Sequence, residues 1–148
     1  MITVLLILQL FHVLFLALHD WVPLDNLNDV ESVRKANPIN TLLLTTLIST
    51  IPFVFGLAAS LFYLGSSYPG WLRTWLWISY TLLFVGEINT WWIPYLFGEA
   101  PEFVDRYEVM FGRTHAFLPV RHGIRPNTLH VILHLATLAT LVVLGLTS

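Results

Sequence analysis

Four stretches of the chain stay apolar long enough to approach the thickness of a bilayer, and the polar positions between them gather into three loops. The stretches cover about Ile2 to His19, Thr41 to Leu64, Trp71 to Phe97 and Thr128 to Leu146. A helix needs roughly 20 predominantly apolar residues to cross the hydrocarbon core. These runs are too long and too uniform for the roughly ten-residue alternation of a membrane barrel. The expected fold is therefore all-α: an integral membrane four-helix bundle, one four-span transmembrane domain over residues 1–148. A cleaved signal peptide competes for the first stretch, but a basic leader and a small-residue cleavage site are missing, and His19-Asp20-Trp21 follows directly.

The polar segments sort differently. GSSYPG, the second loop, suits a tight connection between antiparallel helices. The third loop opens with PEFVDRYEVMFG, where Pro101 suits a first helical position and Gly112 a stop. Phe103, Val104, Tyr107, Met110 and Phe111 share one face, with Glu102, Asp105, Arg106 and Glu108 mostly opposite. This predicts a short amphipathic interfacial helix lying on lipid headgroups. There is no internal repeat, low-complexity segment or interdomain linker.

Composition sharpens this picture. Of 148 residues, 56% are hydrophobic and 11% charged, with a mean hydropathy of +0.72, whereas soluble domains carry about 25% charged residues. The absence of cysteine excludes disulfides and thiolate chemistry. A net charge of -2 without a dense basic cluster gives no case for nucleic acid. Arg34 and Lys35 lie in the first loop and Arg106, Arg113, Arg121 and Arg125 in the third, with only Arg73 on the other side. The positive-inside rule then places loops one and three in the cytoplasm and both termini outside.

Polar residues inside the stretches carry the candidate chemistry, because an ionisable group in lipid normally faces the bundle interior and finds a partner. Gln9, His12 and His19 share a stripe of the first span; Asn127, His130, His134 and Thr137 share one of the fourth. Tyr80, Glu87 and Trp91 lie near one line of the third. The second offers Thr45, Ser49, Gly56 and Ser60, small residues suited to close packing. With a rise of about 1.5 Å per residue, His134 lies about 10 Å beyond Asn127, His12 about 10 Å from His19, and Glu87 about 15 Å from the end of its span. His12, Glu87 and His134 are thus expected at one level, below a polar funnel opening toward loops one and three.

Glu87 is the strongest signal, as the one acidic residue deep in a span. Glu87, His134 and His130 are the candidate catalytic groups, and His12, His19, Asn127, Trp91, Tyr80 and Arg125 the candidate ligand contacts. The bland reading is a structural hydrogen-bond network. His130 and His134 have the i, i+4 spacing of a metal-binding helix, but TLHVILH lacks the HExxH glutamate. With Glu87 they make a set compatible with zinc or non-haem iron. Haem between His12 or His19 and His130 or His134 is a weaker alternative. Trp71, Trp75, Trp77, Trp91, Trp92 and Trp21 read mainly as an interfacial belt. The basic segment from Arg113 to Arg125 reads mainly as a contact with anionic lipid.

RPNTLH at the start of the last span, with the four-span layout, resembles the EXPERA superfamily of sterol isomerases and sigma-2-type receptors. The resemblance covers Arg125 to His130 and the overall length. It implies an intramembrane cavity for amphiphilic amines. That family's paired acids are met here by Glu87 alone, and the charge-based topology puts the termini on the opposite side.

The functional expectation is an intramembrane His/Glu pocket that faces the cytoplasm and binds a small amphiphile or lipid, with proton-transfer or metal-assisted chemistry if it is an enzyme. A non-catalytic assembly subunit that docks through the Gly56 and Ser60 stripe is the rival from another class. A small transporter, which would require a homo-oligomer, is weaker.

Overall fold

The computed structural model describes residues 1–147. Among them the regular structure is helical: α1 (Ile2–Leu18), α2 (Val30–Ala36), α3 (Ile39–Phe62), α4 (Gly70–Glu87), α5 (Ile93–Phe97), α6 (Pro101–Phe111) and α7 (Thr128–Thr147). A π-helical turn, Ile88–Trp92, joins α4 to α5, so the third apolar stretch runs helically from Gly70 to Phe97. The turn has a sequence cause. Pro94 has no N–H for the carbonyl one turn back, and its ring crowds that carbonyl, so the helix widens just before it.

Each long helix packs on two others: α1 on α3 and α7, and α4 on α3 and α7. The inward stripe of α1 holds Leu5, Gln9, His12 and Leu16, spaced by three and four as a helix face requires. Leu72, Leu76, Tyr80 and Glu87 point inward from α4, and His134, Thr137, Thr140 and Leu144 from α7. Gly56 of α3 lies against α4, where a Cβ would come within 3.1 Å of Leu76 Cδ2, and Ser60 donates to Gln9 Oε1 at 3.1 Å. Gly56 and Ser60 are therefore used inside the chain, while Thr45 of the same stripe is exposed. Gly56→Leu is expected to cost about 1–3 kcal/mol by overpacking. An unfolding midpoint in graded denaturing detergent checks this.

By length and composition, α3 and α7 are the two helices able to cross a membrane. The other two apolar stretches fall short of that measure for different reasons: α1 is apolar but has 17 residues, whereas the 18 residues of α4 are long enough but carry Arg73, Glu87 and several polar side chains.

Loops one and three fold together over one end of the helices. Asp29 caps α2 by accepting from the Ser32 backbone N–H at 3.0 Å, and its other oxygen pairs with Arg113 at 2.8 Å. Burial pushes the Asp29 carboxyl up, but the Ser32 hydrogen bonds and the Arg113 guanidinium outweigh it and hold the group below its ordinary value. Arg106 donates to Asn37 Oδ1 at 2.7 Å, and the His115 N–H to Asn26 O at 2.7 Å. A tight turn at Arg121–Ile124 completes this cap, with positive φ at both His122 and Gly123. Gly123 is required twice over, since a Cβ there would meet Val104 Cγ1 at 2.6 Å.

The amphipathic helix forms as expected, but its apolar face is covered by protein. Tyr107 is buried with Trp91, Tyr95 and Ile124, and Phe103, Val104 and Phe111 pack around them. Its inward residues answer to this aromatic cluster, while Val109 on another face stays exposed.

Candidate functional site

The deepest polar layer links three helices through one hydroxyl. Thr137 Oγ1 of α7 lies 3.0 Å from His12 Nε2 of α1 and 2.8 Å from Glu87 Oε1 of α4. It is also 3.0 Å from the Leu133 carbonyl. His12 Nδ1 donates to the Leu8 carbonyl at 2.7 Å. His12 and Thr137 are each 0% exposed and Glu87 5%. Antiparallel packing produces the layer: His12 meets Thr137, and seven residues on along α1 the His19 ring meets that of His130, seven residues back along α7.

His134 lies one turn from Thr137 toward the cap. Trp92 Nε1–H donates to its Nδ1 at 3.0 Å, so a neutral His134 carries its proton on Nε2. That buried Nε2 has no hydrogen-bond partner, and neither has Glu87 Oε2 or the Tyr80 hydroxyl. The Tyr80 ring meets His12 edge-on, with centroids 4.9 Å apart. Buried donors and acceptors without partners cost about 1–3 kcal/mol each. Gln9 Nε2, Thr50 Oγ1 and Asn127 Nδ2 are likewise buried without a partner, so such atoms run along the interior above and below the Glu87 layer.

Nearer the cap, Asn127 caps α7: its Oδ1 accepts from both the backbone N–H and the ring Nδ1–H of His130, at 2.9 and 2.8 Å. His130 stacks on Trp91 with centroids 4.1 Å apart, and Phe111 closes on it at 5.5 Å. His19 Nδ1 donates to the Phe15 carbonyl at 2.9 Å, while its Nε2 lies 3.3 Å from Asp20 Oδ1. The polar column predicted from the stripes is present, but the funnel mouth is stopped by rings. Trp91, Phe111 and Tyr107 sit over His130 where the sequence suggested an opening. Burial raises the Tyr107 hydroxyl to about 12, and it donates to the Arg125 carbonyl. Arg125 itself donates to Gly112 O at 3.2 Å, so it braces the cap.

A groove of about 430 Å³ runs between the π-turn region and α7, with Ile88, Trp92 and Leu96 facing Val131, His134 and Leu138. Its lining is apolar, with His134 and Trp92 presenting carbon atoms to it, and Glu87 lies outside it. A larger cavity of about 550 Å³ lies at the opposite end, lined by Leu5, Tyr68, Arg73 and Leu144 among others, away from the Glu87 layer.

The metal and haem alternatives find less geometry. Among the described residues no three of His, Asp and Glu converge to hold a metal ion. His130, His134 and Glu87 are therefore not brought together as ligands, and the two imidazole centroids stand 6.4 Å apart. The His134 Nδ1 lone pair is taken by Trp92 and His130 Nδ1 by Asn127. The rings of His19 and His130 meet edge to face with centroids 5.7 Å apart, leaving no slot for a macrocycle.

The sequence places Trp91 on the inward line with Tyr80 and Glu87 and puts Trp91 and Trp92 beside the funnel; their contacts with His130 and His134 come from the fold. Trp91 is 8% exposed against 50% for Trp71 and 38% for Trp75, and Trp92 is half-buried against His134, so the tryptophans of the Gly70–Phe97 run divide into two that engage α7 and an outer set. Pro94 was the available signal, because a disturbed helix before it turns nearby side chains to new directions.

No family model matches the chain, and no curated protein or solved structure shows significant similarity to it.

Proposed function

We propose that the chain is a four-span membrane protein whose interior binds a small amphiphile at the level of Glu87, reached sideways between α4 and α7. The observation that carries this reading is an inverted polarity. Gln9, His12, Glu87, His134, Thr137 and Thr140 are buried, while Ile7, Leu14, Leu47, Ile78, Leu82, Leu135 and Val142 are exposed. Large exposed apolar surface is unusual for a soluble monomer and ordinary for a surface that meets lipid. The 17 residues of α1 would span about 26 Å at about 1.5 Å each, close to the roughly 30 Å hydrocarbon core. The helical run from Gly70 to Phe97 is longer than needed.

The head group follows from the partnerless atoms. Glu87 Oε2 favours a donor and His134 Nε2–H requires an acceptor, so a hydroxyl or a similar group that does both is the best fit. An apolar tail would occupy the lateral groove. Proton transfer to or from the bound head is the chemistry those groups support.

Topology can be tested directly because the sequence contains no cysteine. Ser67→Cys in the second loop should react with an impermeant maleimide on intact cells. Glu102→Cys should react only once the membrane is opened. Labelling of both from one side would contradict the four-span reading.

A further inference from the structure

The hydrogen bonds around Thr137 restrict where protons can sit. The Leu8 carbonyl can only accept, so His12 Nδ1 carries a proton at all times, and the variable site is Nε2. Thr137 has one hydroxyl proton and two lone pairs, and it faces three groups: His12 Nε2, Glu87 Oε1 and the Leu133 carbonyl.

Two arrangements with one shared proton satisfy both His12 Nε2 and Glu87 Oε1, leaving the Leu133 carbonyl to its backbone partner in the helix. In the first, the Glu87 carboxyl donates to Thr137 Oγ1 and the Thr137 hydroxyl donates to His12 Nε2. In the second, His12 Nε2–H donates to Thr137 Oγ1 and the Thr137 hydroxyl donates to the Glu87 carboxylate. With a second proton, both side chains donate to Thr137 and its hydroxyl turns to the Leu133 carbonyl. With none, one buried acceptor is left unpaired, at a cost of about 1–3 kcal/mol. The layer thus accommodates one or two protons and resists holding zero.

We propose that His12, Thr137 and Glu87 form a proton relay in which the Thr137 hydroxyl passes a proton between the carboxyl and the imidazole. The Glu87 O–H bond breaks with its electron pair staying on Oε1, and that proton bonds to Thr137 Oγ1. The Thr137 O–H bond breaks in turn, and its proton takes the lone pair of His12 Nε2. Nothing is oxidised or reduced. The neutral pair becomes an ion pair at unchanged total charge. Tyr80 of α4 and His134 of α7 are the other titratable groups beside the layer, and α3, whose Phe53 ring lies against His12, carries no titratable residue. Glu87 Oε2 is the relay's outlet, a role that rests on the ligand site proposed above: in the two-proton state, with the carboxyl proton turned to Oε2, that proton passes to the bound head and the His12 Nε2 proton then reaches Oε1 through the Thr137 hydroxyl.

The exchange itself needs no ligand, so the test uses the purified full-length protein in detergent without added amphiphile. Temperature is varied at fixed pH while two signals are followed: the Glu87 carboxyl C=O band by isotope-edited infrared spectroscopy, and the His12 imidazolium by nitrogen-15 resonance. In the wild type and in Thr137→Ser the carboxyl band should fall as the imidazolium signal rises, by equal amounts. Thr137→Val, similar in shape but without the hydroxyl, should lose the matched change. If the two signals move independently or not at all in the wild type, or still move together in Thr137→Val, the relay is overturned. Should Thr137→Val fail to fold, Glu87→Gln serves: it should abolish the temperature-dependent imidazolium signal, and a signal of wild-type size would overturn the relay. Loss of amphiphile binding with the exchange intact would count against the ligand site alone.

Discussion

Trp91→Ala is expected to destabilise the protein by about 3–5 kcal/mol, the range for deleting a large buried aromatic side chain. Trp91 is the joint between the cap and the helices. It stacks on His130 of α7 at 4.1 Å and meets Phe111 and Tyr107 of α6 at 5.0 and 5.8 Å. Its removal leaves a cavity beneath α6 and loosens the loop that leads into α7. The unfolding midpoint should drop, and limited proteolysis should open the segment between Gly112 and Asn127 before any other. Trp91→Phe should recover part of the loss, since a smaller ring still stacks on His130. A change below about 1 kcal/mol in Trp91→Ala would show that the cap is held elsewhere, by Arg113 on Asp29 or Arg106 on Asn37.

The second large effect is on binding. Glu87→Gln keeps the shape of the side chain and leaves an amide that can still hydrogen-bond to Thr137, so expression and folding should persist. What changes is the chemistry of the second oxygen position, which has no partner within the protein. Losing a hydrogen bond to a charged or acidic group is worth about 1.5–3 kcal/mol, which is about 10- to 150-fold in affinity. Displacement of a fluorescent alcohol-headed amphiphile from wild type and variant would measure it. Unaltered affinity in a folded Glu87→Gln protein would remove Glu87 from the site.

Much of the fold was legible because length and polarity pattern are local properties. The limits of α1, α3, α7 and the Gly70–Phe97 run fall within about two residues of those expected. The inward stripes were legible for the same reason: Gln9 and His12, and His134 and Thr137, share helix faces whatever the neighbours are. Missed were features that depend on a cap or a backbone irregularity. Helix α2 is announced by Asp29 three residues before Ser32, a capping pattern hidden in a loop that looked merely polar. The π-turn is announced by Pro94, yet its result, two tryptophans turned toward α7, required the partner histidines to be placed. The closure of the mouth by Trp91, Tyr107 and Phe111 joins segments distant in sequence, and no periodicity encodes it. Thr137 was recognised as part of a stripe, while its position between His12 and Glu87 depended on the antiparallel register of α1 and α7.

The central claim is that the interior around Glu87 holds an amphiphile, and the most direct measurement is native mass spectrometry of the protein released from lipid nanodiscs, with the bound species identified. The account predicts one amphiphile per chain, bearing a hydroxyl or similar head, retained through release by the wild type and lost from Glu87→Gln. A wild type that emerges with no bound species, or with the same bulk lipids as the variant, would contradict it.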